Sequence, residues 1–245
     1  MTRFFTSDTH FGHPFVAALR GYGKTDEEPN ALRERVRAEG RDFADYVDCR
    51  KHDETIINNF NSMLTVDDEL YILGDLSSGG RSSMRAAIAC VKRLNVPRKR
   101  LHLILGNHDP LEKGTRADLD RLLEVFSSVS RDEVIVIDGH NVALSHFQFR
   151  HHFDGVEDSS ISRNGRSTKY EEYAVVDDGS LLLLHGHTHS KTPFEFENPR
   201  EMNVGIDAWG RPVSEDEVIR YLIEPNKGVM DAPLESDGYT QGTLW

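Results

Sequence analysis

Cysteine is scarce. The 245 residues hold two, Cys49 and Cys90, far apart and in no Cys-x-x-Cys pattern. A disulfide framework or a thiolate zinc site has nothing to build on, and both read as ordinary reduced thiols. Long apolar runs are missing as well; every one falls well short of the ~20 residues needed to span a bilayer. The first residues, MTRFFTSD, contain no apolar leader stretch and enter a strand at once, so the expected location is the cytoplasm. Positive charge is in deficit: 29 Lys and Arg stand against 41 Asp and Glu, a formal net charge of −12. That balance opposes bulk, non-specific binding to nucleic acid or an anionic membrane, without excluding a local basic patch. Internal repeats and low-complexity tracts are also absent.

What is present is an alternation of strand-like and helix-like segments, the pattern of an α/β fold. Short apolar strands are expected at 3–7, 70–73, 101–105, 134–137, 142–145, 181–184 and 202–206. Helices are expected around 31–46 and at 53–64, 82–94, 117–126 and 214–223. In 53–64, Ile56, Ile57, Phe60 and Leu64 share one face. The helix at 214 opens with a capping box from Ser214 to Glu217, with Val213 and Val218 placed as a hydrophobic staple. Asp138-Gly139-His140-Asn141 turns between two strands of a hairpin. Residues 1–224 read as a single domain. Residues 225–245, punctuated by Pro225, Gly228, Pro233, Gly238 and Gly242, read as an extension lying on the surface.

Five polar clusters recur, each directly after an apolar strand: Asp8-x-His10, Gly74-Asp75, Gly106-Asn107-His108-Asp109, Ser145-His146 and Gly186-His187-x-His189. Ligands of open α/β sheets gather at the carboxyl ends of strands. Glycine precedes three of the clusters, where the backbone must turn sharply or approach closely. Every donor is Asp, Asn or His, a set suited to a first-row divalent ion. Asp8, His10, Asp75, Asn107, His146, His187 and His189 exceed what one ion needs while keeping room for a substrate. Two ions roughly 3.5–4 Å apart and sharing a carboxylate would use them all. His140, in the hairpin turn, competes with His146, but a strand end suits a ligand better.

The ordered set DxH, GD, GNHD, H and GHxH resembles the calcineurin-like metallophosphoesterases, from Asp8 to His189. FTSDTHFGH and ETIINNFN look like a compact bacterial and phage branch of that family. The resemblance implies a four-layer α/β/β/α sandwich of two mixed β-sheets flanked by helices. It implies one ion held by Asp8, His10 and His189, another by Asn107, His146 and His187, and Asp75 between them. Manganese is the first expectation for both ions, with iron, zinc or nickel as alternatives. The implied activity is hydrolysis of phosphoester bonds by a water or hydroxide bridging the two ions. His108 would protonate the leaving oxygen, with Asp109 orienting it. Two departures stand out: Leu76-Ser77-Ser78-Gly79 after Asp75, where many relatives carry a further charge, and Phe147-Gln148 after His146, where many have proline two places on.

A phosphodiesterase is expected first. The alternatives are a phosphomonoesterase acting on nucleotides or phosphoproteins, or a non-catalytic metal-binding interaction module. The substrate is expected to be a small molecule or nucleotide, with nucleic acid still open and no membrane partner. His13 could reach a substrate phosphate, although a supporting histidine is the plainer reading. The stretch 150–170 leaves from the His146 strand carrying Arg150, Arg163 and Arg166, which are candidates for substrate contact. His185 reads as a buried, hydrogen-bonded residue, His52 and His102 as structural, and the basic run 92–100 as a solvated edge.

Overall fold

Successive residues of a strand face opposite sides, so a strand that is apolar at nearly every position must be covered twice. The computed structural model, which describes residues 1–111, 114–150, 170–194 and 198–227, solves that requirement with two sheets. The strands are β1 (Arg3–Thr6), β2 (Glu69–Leu73), β3 (Leu101–Ile104), β4 (Ser128–Ser130), β5 (Asp132–Ile137), β6 (His140–Ser145), β7 (Leu182–His185), β8 (Glu201–Asn203) and β9 (Val213–Ser214). The first sheet has the order β4-β3-β2-β1-β9 and the second β5-β6-β7-β8. Both are mixed. In the first, Phe4 pairs in parallel with Leu70 and Leu70 with Leu101, while β9 runs antiparallel to β1. In the second, β5 and β6 form an antiparallel hairpin and β7 and β8 add in parallel.

The period of two sorts the side chains into layers. Phe5, Tyr71, Leu73 and Ile104 of the first sheet meet Val142, Leu144, Leu182, Leu184 and Met202 of the second, so the sheets pack face to face. Phe4, Leu70, Ile72, Leu101 and Leu103 point the other way, onto helices. These helices are α3 (Cys49–Met63), α4 (Arg81–Val91) and α5 (Arg116–Leu123), which contribute Ile56, Ile57 and Phe60, then Ala87 and Val91, then Leu119 and Leu122. Each of the larger side chains among these, removed from water, contributes about 1.5–3 kcal/mol. On the outer face of the second sheet, Ala143 and Leu183 lie under Phe149, Val175 and Leu181. The architecture is α/β: two mixed sheets with flanking helices.

Smaller elements complete the chain. Helices α1 (Pro14–Ala17) and α2 (Pro29–Ala38) lie between β1 and α3, α6 (Ile206–Trp209) follows β8, and α7 (Glu215–Val218) follows β9. Helix α7 begins at the expected capping box, with Val213 and Val218 both buried beside it. It runs on through a π-helical turn at Ile219–Ile223. No helix of the described residues is long and apolar enough to cross a membrane.

Four details differ from the sequence reading. The helix expected over 31–46 stops at Ala38; Gly40 takes φ +65°, and a separate turn, Phe43–Tyr46, starts from an Asp42 cap. The hairpin turn is tighter than four residues: Asp138 and Gly139 alone turn, both at positive φ, and His140 already belongs to β6. The strand expected through Ile206 ends at Asn203, because Ile206 opens α6. Beyond Glu224 the chain stays ordered for a further turn, in which buried Asn226 donates to the carbonyls of Pro199 and Leu222. The rest of the expected surface extension, from 228 on, lies outside the described residues.

Candidate metal centre

Parallel strands deliver their carboxyl ends to one edge, and the two stacked sheets set two such rows of ends side by side. Asp8 and His10 follow β1, Asp75 follows β2, and Asn107 and His108 follow β3. From the second sheet, His146 follows β6, and His187 and His189 follow β7. The backbone bends hard at these points. Asp8, His10, Asp75, His187 and His189 all adopt positive φ, from 46° to 69°. Such a conformation costs a residue with a side chain on the order of 1–2 kcal/mol, although Asp and His tolerate it better than most. Among the described residues the sixth non-glycine of this kind is Asp138 in the hairpin turn. Strain concentrated in this way marks functional sites. Two glycines permit the crowding: a Cβ at Gly186 would strike Ser7 Oγ and Asp8 Oδ2, and one at Gly106 would strike Asp75.

Asp75 lies at the centre. Its Oδ2 stands 3.5 Å from His10 Nε2 on one side and 3.5 Å from His146 Nε2 on the other. On the first side, His10 Nε2 and His189 Nε2 approach to 3.2 Å, with Asp8 Oδ1 3.9 and 3.8 Å from them. On the second, His146 Nε2 lies 3.1 Å from Asn107 Oδ1 and 3.2 Å from His187 Nδ1. Donors bound at about 2.0–2.2 Å to one ion stand roughly 3–3.5 Å from each other, so this spacing suits a cation on each side of Asp75. Two groups drawn from the cluster, Asp8-His10-His189 and Asp8-Asp75-His146, have donor atoms all within 4.8 Å of one another.

Hydrogen bonds orient the rings for that role. His10 Nδ1 donates to the carbonyl of Ser77 at 3.0 Å, and His146 Nδ1 to that of Leu73 at 2.8 Å. His189 Nδ1 donates to Asp207 Oδ2 at 2.7 Å. Each bond places the proton on Nδ1 and turns the Nε2 lone pair inward, the arrangement that supports metal-bound imidazole. Asp8 Oδ2 accepts from the His187 N–H, while Asp8 Oδ1 is buried with no hydrogen-bond partner among the described residues.

Charge points the same way. Burial, and after it the neighbouring Asp8 carboxylate, push the Asp75 carboxyl up to about 7. Burial alone would raise Asp8, but His146, His189 and His10 together outweigh it and hold Asp8 below its ordinary value. Burial, then His146, hold His187 down at about 3, and burial keeps His10 well below the usual imidazole range. The buried imidazoles of His10 and His187, held toward the neutral form beside crowded carboxylates, belong to a donor set that a divalent cation satisfies.

His108 stands at the rim. Its side chain is 39 % exposed, with Nε2 4.0 Å from Asp75 Oδ2 and Nδ1 3.3 Å from the Ser78 carbonyl. His13 stands beside it, with ring centroids 5.2 Å from His10 and 6.0 Å from His108. Burial, then His108, push His13 down to about 4. Its Nδ1 is buried with no hydrogen-bond partner among the described residues.

Asp109 corrects the sequence reading. It does not orient His108. Its carboxylate is buried and accepts from the backbone N–H groups of Gly106, Asp75 and Leu76, at 2.9, 2.8 and 3.2 Å. Consecutive side chains on this turn diverge, so Asp109 staples the loops after β2 and β3 together from beneath. Arg150 is exposed, its N–H bonded to the Val175 carbonyl, and it makes no hydrogen bond or ion pair with the seven candidates. Arg163 and Arg166 fall within 151–169, outside the described residues. His140 bonds its own turn at the Asp138 carbonyl. His185 is buried, with Nδ1 on the Gly186 carbonyl. Arg93, Arg98 and Arg100 of the basic run are tied to Glu54, the Leu123 carbonyl and the Asp67 carbonyl.

Two residues that the motifs do not include complete the site. Asp207, on α6, holds His189, and Arg20 grips Asp207 through Nε at 2.9 Å and Nη2 at 2.6 Å. Arg20 also donates to the carbonyls of Asp8 and Thr9. Arg20 sits in no motif and beside no strand end; Asp207 directly follows the strand expected at 202–206 but in no ligand motif.

Comparison with known proteins agrees with this geometry. A family model described as calcineurin-like phosphoesterase matches residues 1–211. The chain is 32% identical over 225 residues to the gene 66 protein of Mycobacterium phage L5, covering 87% of this chain and 90% of that protein. It is also 32% identical over 236 residues to the gene 66 protein of Mycobacterium phage D29, covering 92% and 98%. A solved structure of a protein of unknown function from Aquifex aeolicus shares the fold with a TM-score of 0.50 at 20% identity, over 89% of this chain and 98% of that one.

Proposed function

The chain belongs to the calcineurin-like phosphoesterase family, and from that premise we propose that it hydrolyses phosphodiesters at the cluster around Asp75, with two divalent cations as cofactors. One observation carries the reading: six donor side chains from two sheets converge on both sides of a single buried carboxylate, Asp75. Asp8, His10 and His189 would hold one cation and Asn107, His146 and His187 the other, with Asp75 shared. Manganese is the first candidate, because oxygen and imidazole donors without thiolate suit it. Bound there, the cations supply Lewis acidity toward water and toward the phosphoryl oxygens.

The chain's own groups do the rest. Hydrolysis joins a water oxygen to phosphorus and breaks the bond to the leaving oxygen, which departs with the electron pair and needs a proton. In this reading His108 gives it from Nε2, the nitrogen on the Asp75 side, while Nδ1 faces the Ser78 carbonyl. The attacking water gives up one proton to solvent, and His108 regains one from solvent. His13, beside it, would contact a phosphate oxygen.

The diester preference rests on charge. Among the described residues, no lysine or arginine bonds to a side chain of the seven candidates; Arg20 reaches only the backbone carbonyl of Asp8 and is otherwise committed to Asp207, the Thr9 carbonyl and His52. Among the described residues a monoester dianion would find no guanidinium on the cluster's donor side chains, whereas a diester monoanion needs less.

The experiment is hydrolysis of bis-p-nitrophenyl phosphate and p-nitrophenyl phosphate by chelator-stripped protein, with manganese, nickel, zinc or magnesium restored, and with His108→Ala alongside. The expected result is metal-dependent turnover, faster on the diester. The variant should lower kcat by about 10²–10⁴-fold without changing the metal bound per chain. Absence of turnover with every metal, in protein that binds two ions, would replace this reading with that of a non-catalytic metal-binding module.

A further inference from the structure

A cavity of about 450 Å³ opens beside His108, away from the second sheet. Asn107, His108 and Asp109 form the wall it shares with the metal cluster. Partly buried Met84 and Ile88 of α4 give it an apolar floor. Arg81 and Arg85 of α4 and Arg121 of α5 line it as well. Asp118 partners two of them, lying 2.7 Å from Arg121 and 3.8 Å from Arg81. Arg85 has no hydrogen bond or ion pair with any described residue. The local balance is three guanidiniums to Asp118 and the buried Asp109, in a chain whose formal net charge is −12.

We infer that this cavity is the leaving-group subsite and that the group it takes is a nucleotide. The inference rests on the phosphoesterase reading above. If His108 protonates the leaving oxygen, the leaving group lies on the His108 side of phosphorus, and the space on that side is this cavity. A small alcohol would leave its volume and its guanidiniums unused. The size falls within the ordinary range for small-molecule sites, roughly 300–1,000 Å³. Its chemistry asks for two features in one molecule. A planar, partly apolar body fits between the Met84–Ile88 floor and guanidinium planes, which stack on heterocycles. A further anionic group fits Arg85 and its neighbours. A nucleotide carries both. A long nucleic-acid strand is disfavoured by the acidity of the rest of the surface.

The test is titration calorimetry of AMP into full-length, chelator-stripped protein, where binding is read without turnover. Inorganic phosphate serves as the control, and Arg85→Ala and Ile88→Trp as the variants. Arg85 is exposed, so its replacement leaves the core intact; Ile88→Trp fills the cavity without touching charge. The expected result is AMP binding that inorganic phosphate does not match, weakened roughly tenfold or more by either variant. AMP binding that is absent, or equal in wild type and both variants, overturns the subsite. Wild-type hydrolysis of bis-p-nitrophenyl phosphate with manganese, on the same preparation, reports on the phosphoesterase reading separately. Turnover without an AMP effect removes the subsite alone. An AMP effect in a protein with no turnover under any metal removes the phosphoesterase reading and the leaving-group assignment with it.

Discussion

His189 donates from Nδ1 to Asp207 Oδ2 at 2.7 Å, and Asp207 is itself gripped by two N–H groups of Arg20. The chain Arg20–Asp207–His189 crosses 187 residues of sequence to aim one ring nitrogen. It also raises the basicity of that ring. Burial would lower His189, but the bond to Asp207 and the nearby Asp8 outweigh it and raise it. Asp207→Asn keeps the shape and removes the charge. Partners of metal-bound histidines typically set affinity by about 10–100-fold, so manganese binding measured by calorimetry should weaken by that factor. Unchanged affinity would show that His189 is held by packing alone.

Gly186 is a steric keyhole between the two sheets. A methyl group there meets Ser7 Oγ and Asp8 Oδ2, both anchored: Ser7 Oγ donates to the Leu73 carbonyl and Asp8 Oδ2 accepts from the His187 N–H. Neither can give way without moving a strand end. Gly186→Ala should therefore destabilise the fold by about 3 kcal/mol, read as a lower midpoint in urea, and should also lower manganese affinity. A variant of wild-type stability would mean the strand ends are softer than their hydrogen bonds imply.

The parts of the site legible in the sequence share one property. Asp8, His10, Asp75, Asn107, His146, His187 and His189 each lie within a few residues of an apolar strand, so strand recognition carries the ligand with it. Arg20 has no such marker, and Asp207, although next to the strand expected at 202–206, stands on α6; their role exists only because α6 and the segment after α1 fold over the same strand end. Asp109 misled because adjacency along the chain is not adjacency in space: the turn that offers His108 to solvent drives Asp109 under the loops. β4 and β9 were unreadable for another reason. Three and two residues carry no periodicity, and they are strands because a neighbour's edge needs pairing. The cavity beside His108 depends on the approach of α4 and α5, which no motif encodes.

Phe60 anchors α3 on the first sheet. It is fully buried, with Ile56 and Ile57 on the same face, against Leu70 and Ile72. Phe60→Ala removes a ring the surroundings cannot refill, at a cost of about 3–5 kcal/mol, or a melting point roughly 10 °C lower for a chain of this size. The change lies on the helical side of the sheet, away from the strand ends. Metal affinity at 20 °C, measured on the folded fraction, should stay near wild type. Loss of both together would mean that α3 and the site unfold as one unit.

Glu217 offers a pH test far from the metal centre. Its carboxylate meets Arg211 at 2.6 and 3.0 Å and also closes the Ser214 cap of α7. The hydrogen bonds from Arg211 are the largest cause of a shift that holds Glu217 at about 2, below its ordinary 4.5. Between those values the unfolded chain binds more protons than the folded one, so stability rises with pH across that window. The contribution is complete above the unfolded value and is lost as pH falls through the folded one. Because the pair is partly exposed, solvent trims it to about 1 kcal/mol or less. Arg211→Ala should be less stable than wild type by that amount at pH 6. The gap should shrink by more than half at pH 3, with urea midpoints as the measure. An equal gap at both pH values would assign the Arg211 effect to its packing over Trp209 and not to the ion pair.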